Sequence, residues 1–348
     1  MMVFLWSAVK AVRFYGAGKP LKLEDTETPK ISDTEVLVKV KAAGICHTDL
    51  HFLDGTLAPW KGSLPLTLGH EIAGEIDSVG SKVRRFRKGE RVVVNNGVSC
   101  GKCKYCKMGR ENICVDLDQL GFTLNGGYAE YVKVPERTLL RLPKEVTYED
   151  GALLPCGVAS SYHALMDIAR LRKGETLLIN GTGGLGTGAI QIAKIAGAKV
   201  IAVDVIDEKL GMAKRLGADE VVNSKSEDLG GAVKRITGGQ GVDVALELVG
   251  TSAAMRNALG ALGKTGRYVI VGYTKELLEA SPLNLVILEA EIRGVVAYTM
   301  KDLQAVVRLV QRGKLKPVVA RKFSLGEVSS ALELLRQGSI AGRSIAVP

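Results

Sequence analysis

Thr176-Leu177-Leu178-Ile179-Asn180-Gly181-Thr182-Gly183-Gly184-Leu185-Gly186 decides the fold. Thr176–Asn180 is a short, nearly all-apolar run, as in strands buried on both faces. It meets the glycine pattern G-x-G-x-x-G, and from Leu185 the stripe Leu185, Ala189, Ile192 and Ala196 repeats with helical spacing. Glycine is 41 of 348 residues, so the pattern alone is weak; between a strand and a helix it is strong. Gly181 permits the tight turn, Gly183 lets the backbone approach a pyrophosphate, and Gly186 allows close helix–strand packing. The free N–H groups of Gly184 and Leu185, at the positive end of the helix, suit a phosphate.

Downstream, the strand Lys199–Asp204 ends on an acid 18 residues after Gly186. A carboxylate there accepts hydrogen bonds from both adenosine ribose hydroxyls and repels a 2′-phosphate, favouring NAD over NADP; the bland alternative is an ordinary strand-end acid. Lys209, in the next helix, also comes within reach of the ribose. Strands at Val221-Val222, Val242–Val249, Arg267–Val271 and Ile292–Tyr298 alternate with helices at Glu208–Leu216, Glu227–Ile236 and Ser252–Leu262. That alternation predicts a parallel, doubly wound α/β sheet.

Upstream, the first 150 or so residues are β-rich. Strands are expected at Glu35–Val40, Glu71–Val79, Arg91–Val94 and Ala129–Val134, and the alternation in Val36-Leu37-Val38-Lys39-Val40 suits half-buried antiparallel pairing. The tail from Thr299 has helical stretches at Leu303–Gln311 and Leu325–Leu335, then Arg343–Val347; too small for a core of its own, it must pack on another domain. With 46% apolar and 24% charged residues the composition is that of a soluble globular protein, and no run approaches the 18–20 apolar residues of a membrane span. The apolar start Met1–Trp6 is too short for a signal sequence, so a cytoplasmic protein is expected. The net charge of +10 is scattered rather than gathered on one arm, which argues against nucleic acid and is compatible with an anionic cofactor.

Four of the six cysteines lie between positions 100 and 114. Cys100, Cys103 and Cys106 form C-x2-C-x2-C, and Cys114 follows. Four thiolates in 15 residues wrap one tetrahedral zinc with no position left for water or substrate, which makes the site structural. An iron–sulfur cluster is the weaker rival, because the ferredoxin run closes with Cys-Pro. Cys46 and Cys156 remain, with Gly69-His70-Glu71 between them. Each alone reads as a buried structural residue; together, two thiolates and an imidazole make a Cys2His set known for catalytic zinc with one open position.

Gly69-His70-Glu71 with Gly74, Gly80 and Val83, the cysteine lobe and the glycine loop resemble the zinc-dependent medium-chain alcohol dehydrogenases over essentially the whole chain. The resemblance implies a β-rich GroES-like catalytic domain, 1–153 with 300–348, carrying the zinc lobe at about 95–115, and a Rossmann NAD-binding domain, 154–299. It implies two zinc ions per chain: a catalytic one on Cys46, His70 and Cys156, and a structural one on the four lobe cysteines. Glu71 matches the acid beside the metal, and Asp49 the acid that orients the zinc histidine. Thr48 matches the hydroxyl that takes the substrate proton, although it also reads as a plain helix cap, and His51 the end of that relay. His47 and Arg343 match pyrophosphate-binding positions; Ser160 stands where the family has a threonine beside the nicotinamide. Trp60 and Asn95 are candidate pocket borders, and His163 reads as structural. The implied reaction oxidises alcohols to aldehydes or ketones, and reverses, with NAD(H), in a homodimer or homotetramer. A polyol dehydrogenase is the rival; many of those carry Glu where this chain has Cys156. A non-catalytic protein of the same fold is the rival from another class.

Overall fold

A computed structural model describes residues 8–348; the apolar start Met1–Trp6 lies outside the described residues. Two compact units emerge, Met1–Cys156 with Thr299–Pro348, and Gly157–Tyr298. Cys156 thus goes with the first unit, three residues past the boundary expected from sequence, and its sulfur lies 3.9 Å from that of Cys46.

In the first unit the alternation at Val36–Val40 extends into an eleven-residue strand, Glu35–Ile45. It pairs antiparallel with Glu71–Val79 and Tyr131–Pro135, and Glu71–Val79 pairs with Arg91–Val94. Val36, Val38, Val40, Ile72, Ile76, Val92, Val94 and Val134 build one core from these strands; burying each such side chain contributes roughly 1.5–3 kcal/mol. The tail strand Arg343–Val347 joins the same sheet, opposing Ser344 to Ile45 and Ile345 to Gly44, with Val319–Ser324 parallel on its other side. The helix Met300–Gln311 starts on a capping box, Asp302 Oδ2 accepting from Thr299 N at 2.8 Å. The strands Ala8–Phe14 and Lys22–Glu27 pair with each other, although Lys22–Glu27 is mostly charged and carries no apolar signal.

In the second unit six strands run parallel: Glu220–Asn223, Lys199–Asp204, Thr176–Asn180, Val242–Glu247, Leu262–Ile270 and Glu291–Gly294, in that spatial order. In chain order this is 3-2-1-4-5-6, the doubly wound dinucleotide-binding arrangement. The strand order reverses beside Thr176–Asn180, so the glycine turn stands at the switch point where such sheets bind ligands. Among the described residues no helix is long and apolar enough to cross a membrane.

A candidate metal centre and a dinucleotide loop

The strand Glu35–Ile45 delivers Cys46 to the start of the helix His47–Leu53. Cys46 itself is the cap residue, extended at φ −116° and ψ 151°, and its N–H donates to Asp49 Oδ2 at 3.0 Å. Thr48 is therefore not the cap, and its hydroxyl lies 3.5 Å from Cys46 Sγ. His47 is exposed; His51, one turn on, is buried, with ring centroids 5.3 Å apart. Burial first, and then the neighbouring His47, lowers the pKa of His51 below its usual value, which keeps it neutral near pH 7.

Sheet register brings the next residues in. Gly44 opposes Glu71, and a Cβ on Gly44 would lie 1.9 Å from Glu71 Oε2, so only glycine fits there. Arg343, expected at the pyrophosphate, enters from the tail strand buried and with its guanidinium engaged at both edges by Glu71, Nε to Oε2 at 3.2 Å and Nη2 to Oε1. Cys156 comes from a wide turn, Leu154–Ala159, after the helix Tyr148–Leu153. One donor atom each from Cys46, His70, Glu71 and Cys156 lies within 4.8 Å of the others.

The set fits a zinc ion on two independent grounds. The Cys46 and Cys156 sulfurs are 3.9 Å apart, far beyond a disulfide and close to the ~3.8 Å between two tetrahedral ligands at about 2.3 Å from one metal. Both ring nitrogens of His70 and Oδ1 of Asp49 are buried without hydrogen-bond partners among the described residues. Such orphans are costly in a dry interior unless a ligand satisfies them. Nδ1 of His70 faces Asp49 Oδ1 at 3.6 Å, while Nε2 faces Glu71 Oε1 at 3.9 Å, so Nε2 is turned to the donor set. A hydrogen bond from Cys156, with the charges of Arg343 and His70, outweighs burial and draws the Cys46 pKa well down; the same pairing and burial push Cys156 up. Burial raises the Glu71 pKa and Arg343 opposes it.

The four lobe cysteines form the second metal-ready group. Cys103 lies 3.5 Å from Cys106 and 3.9 Å from Cys114, and Cys100 lies 4.0 Å from Cys106. Backbone N–H groups of Cys100 and Asp116 point at Cys114 Sγ, and that of Cys103 at Cys100 Sγ. Backbone N–H donors at Cys106 and Val115 draw Cys103 down to about 6, while burial pushes Cys106 up to about 11. All six cysteines are free thiols.

In the second unit Gly181 has φ +100°, a conformation that favours glycine. A Cβ on Gly186 would lie 2.3 Å from Gly181 O, whereas Gly183, which precedes the helix Gly184–Ile195, opens onto free space where a phosphate can approach. Asp204 is already engaged: Oδ2 accepts from Thr182 N and Oγ1 at 2.8 and 2.9 Å, Oδ1 from Val205 N and Ile206 N at 2.8 and 3.2 Å. Thr182 is thus part of this site, which the x of the glycine pattern conceals. Lys209 stands half-buried in the first turn of Asp207–Arg215. Ser160 is buried, and its neighbour Ser161 donates to Leu185 O at 2.9 Å, tying the short helical segment Ser160–Tyr162 to the glycine helix. In the first unit the Phe122 ring lies between His70 (5.0 Å) and the half-exposed Trp60 (5.9 Å), and Asn95 is buried, accepting from Gly97 N at 3.1 Å. His163 is buried, 3.3 Å from Asp167.

Residues 32–144 match the alcohol dehydrogenase GroES-like domain, and residues 184–312 the zinc-binding dehydrogenase domain. An NAD-dependent alcohol dehydrogenase of Sulfurisphaera tokodaii is 38% identical over 98% of this chain and 100% of its own length. A sorbitol dehydrogenase of Bacillus subtilis is 35% identical over 90% of both chains. The crystal structure of the alcohol dehydrogenase of Aeropyrum pernix superposes with a TM-score of 0.92 at 34% identity, covering 97% of this chain and 100% of that one. With the parallel sheet, the glycine turn and both cysteine clusters in agreement, the chain belongs to the zinc-dependent medium-chain alcohol dehydrogenase family.

Proposed function

We propose that this chain oxidises alcohols to aldehydes or ketones, and catalyses the reverse reduction, with NAD(H) and with two zinc ions per chain, one catalytic and one structural. The observation that carries the reading is the donor set: two sulfurs 3.9 Å apart beside a buried imidazole with both nitrogens unsatisfied. When bound, zinc supplies a Lewis acid for an alcohol or carbonyl oxygen, and NAD supplies the hydride acceptor.

The protein's own residues do the rest. Cys46, His70 and Cys156 hold the catalytic zinc. Asp49 orients His70, as acids beside zinc histidines do. Arg343 holds Glu71 in a buried ion pair, which would keep that carboxylate from competing with substrate for the metal. The Thr48 hydroxyl, beside Cys46, takes the proton of the alcohol; His51, neutral at pH 7, carries it onward. His47 contributes to cofactor binding. In the second unit the N–H groups of Gly183, Gly184 and Leu185 receive the pyrophosphate between the turn glycines Gly181 and Gly186, and Ser160 and Lys209 serve the nicotinamide and ribose. Asp204 takes the adenosine ribose: its hydroxyls replace the Thr182 hydroxyl on Oδ2, and a 2′-phosphate meets a carboxylate.

The six free thiols, in metal-ligand geometry, suit a reducing compartment such as the cytoplasm. A homo-oligomer, dimer or tetramer, is favoured by the edge strand Glu291–Gly294 and by Leu283, Val286 and Ile287, which are exposed on the neighbouring helix Pro282–Leu288.

Two measurements test the reading. NADH formation is followed over primary, secondary, aryl and polyol substrates, with zinc counted by elemental analysis. Turnover of simple alcohols with two zinc per chain is expected; polyol-only turnover shifts the assignment to the polyol dehydrogenases, and one zinc removes one of the two sites. Asp204→Gly is expected to lower the NAD-to-NADP ratio of kcat/KM by roughly 10–100-fold, the worth of one or two charge-assisted hydrogen bonds. An unchanged ratio removes Asp204 from the ribose site.

A further inference from the structure

Tyr128 is fully buried, yet no part of the proton path or the donor set uses it. Its surroundings are all parts of the metal centre's frame. The ring packs on Gly69, where a Cβ would lie 2.7 Å from Tyr128 Cδ1, and Gly69 adopts φ +88° immediately before His70. The Tyr128 N–H donates to Leu68 O at 3.1 Å. On the other side the hydroxyl reaches Asp49 Oδ2 at 2.6 Å and lies 3.2 Å from Gly44 O. A phenol has one proton, and the shorter contact to the charged acceptor takes it.

Asp49 then has both donors, Cys46 N and the Tyr128 hydroxyl, on the same oxygen, Oδ2. Two donors from different directions fix the plane of the carboxylate. The other oxygen, Oδ1, is left bare and turned toward His70 Nδ1. An acceptor there selects the tautomer with its proton on Nδ1 and leaves Nε2 to bind a metal.

We propose that Tyr128 is a positioning residue of the metal centre: its hydroxyl locks the Asp49 carboxylate, and through it the ring of His70, while its ring seats the backbone of Gly69. One side chain thereby registers the segment bearing Cys46 against the segment bearing His70. The inference rests on reading Cys46, His70 and Cys156 as the ligands of a zinc ion.

The test is zinc release from the loaded, full-length protein to an excess of the chromogenic chelator 4-(2-pyridylazo)resorcinol. Cys46→Ser first identifies the pool: it must lack one of two zinc equivalents. If Cys46→Ser retains both, the ligand assignment fails and Tyr128 is not at issue. Tyr128→Phe keeps the ring and removes only the hydroxyl. It is expected to release the Cys46 pool faster, by up to the about 10–100-fold in metal affinity that removing a direct partner of a zinc ligand costs, with the lobe pool unchanged as the internal control. Release of the Cys46 pool at the wild-type rate overturns the proposal. Asp49→Asn should show the same acceleration, and Tyr128→Phe added to Asp49→Asn should add nothing further, since both act through one carboxylate. Multiplying effects in the double variant overturn the lock. Should Tyr128→Phe not accumulate as folded protein, Asp49→Asn alone decides: wild-type release overturns the proposal.

Discussion

The two cysteine clusters of the first unit have nearly the same sulfur spacing, 3.5–4.0 Å in the lobe and 3.9 Å between Cys46 and Cys156, in opposite surroundings. The lobe draws four thiols from 15 residues, leaves Cys100, Cys103 and Cys106 half-exposed, and supports them with its own backbone N–H groups. The other cluster draws donors from positions 46, 70, 71 and 156, buries all but the half-buried Cys156, and surrounds them with Asp49, Arg343 and Tyr128. A set with only sulfur donors and local support suits a metal that holds a loop in shape. A set with mixed donors, a paired carboxylate in reserve and a hydroxyl beside it suits a metal that works on a substrate.

The sharpest way to break this contrast is Cys46→Ala. Turnover is expected to fall roughly 10³-fold or more, the scale on which electrostatic stabilisation at a reacting oxygen operates, with one zinc lost and the circular dichroism spectrum retained. Substantial activity with both zinc ions present would remove the catalytic half of the comparison.

Arg343→Ala comes next and probes the charge frame that the lobe lacks. It strands Glu71, fully buried, without its cation, and such breaks cost about 3–5 kcal/mol. The expected result is a lower denaturation midpoint in urea. Glu71→Gln placed on Arg343→Ala should restore part of it, because the uncompensated charge is then gone. If the double variant is no more stable than Arg343→Ala, the ion pair is not what Arg343 provides.

Cys103→Ala should do the reverse of Cys46→Ala: a melting temperature lower by about 3 °C, roughly 2 kcal/mol for a chain of this size, with kcat for the folded protein within about threefold of wild type. A large loss of kcat at an unchanged melting temperature would make the lobe catalytic and erase the distinction.

The contrast also sorts what the sequence could reveal. The lobe is legible because thiol spacing is a local property, and so is the turn at Gly181–Gly186 between its strand and helix. The open site is not, since 24 residues separate Cys46 from His70, 86 separate His70 from Cys156 and 187 separate Cys156 from Arg343. Residue types suggested that set, and the resemblance singled it out. Gly44 and Tyr128 stayed hidden because their roles exist only once register opposes Gly44 to Glu71 and seats Tyr128 on Gly69. Gly126-Gly127 before an aromatic residue was the one available hint: Gly127 N donates to Gly69 O at 2.6 Å, and the loop needs that closeness. Lys22–Glu27 failed differently, as a charged strand held by pairing rather than burial.

His51 has no counterpart in the lobe. Its pKa lies below the usual ~6.5, chiefly because burial disfavours the charged ring and because His47 adds a like charge when protonated. A group that must accept a proton works in its neutral form. Its contribution to kcat/KM for alcohol oxidation is therefore largely present at pH 7 and is lost as pH falls through that depressed pKa, giving an acid limb that lies below 6.5. His51→Gln keeps a polar side chain without a titrating ring, so the limb should vanish and the rate at pH 7 fall roughly 100-fold, the bottom of the range for general acid–base groups. His47→Gln removes the neighbouring charge, and the limb should move upward toward 6.5. A profile that keeps the same acid limb in His51→Gln assigns the proton's exit to another group and leaves His51 as a buried histidine of the helix.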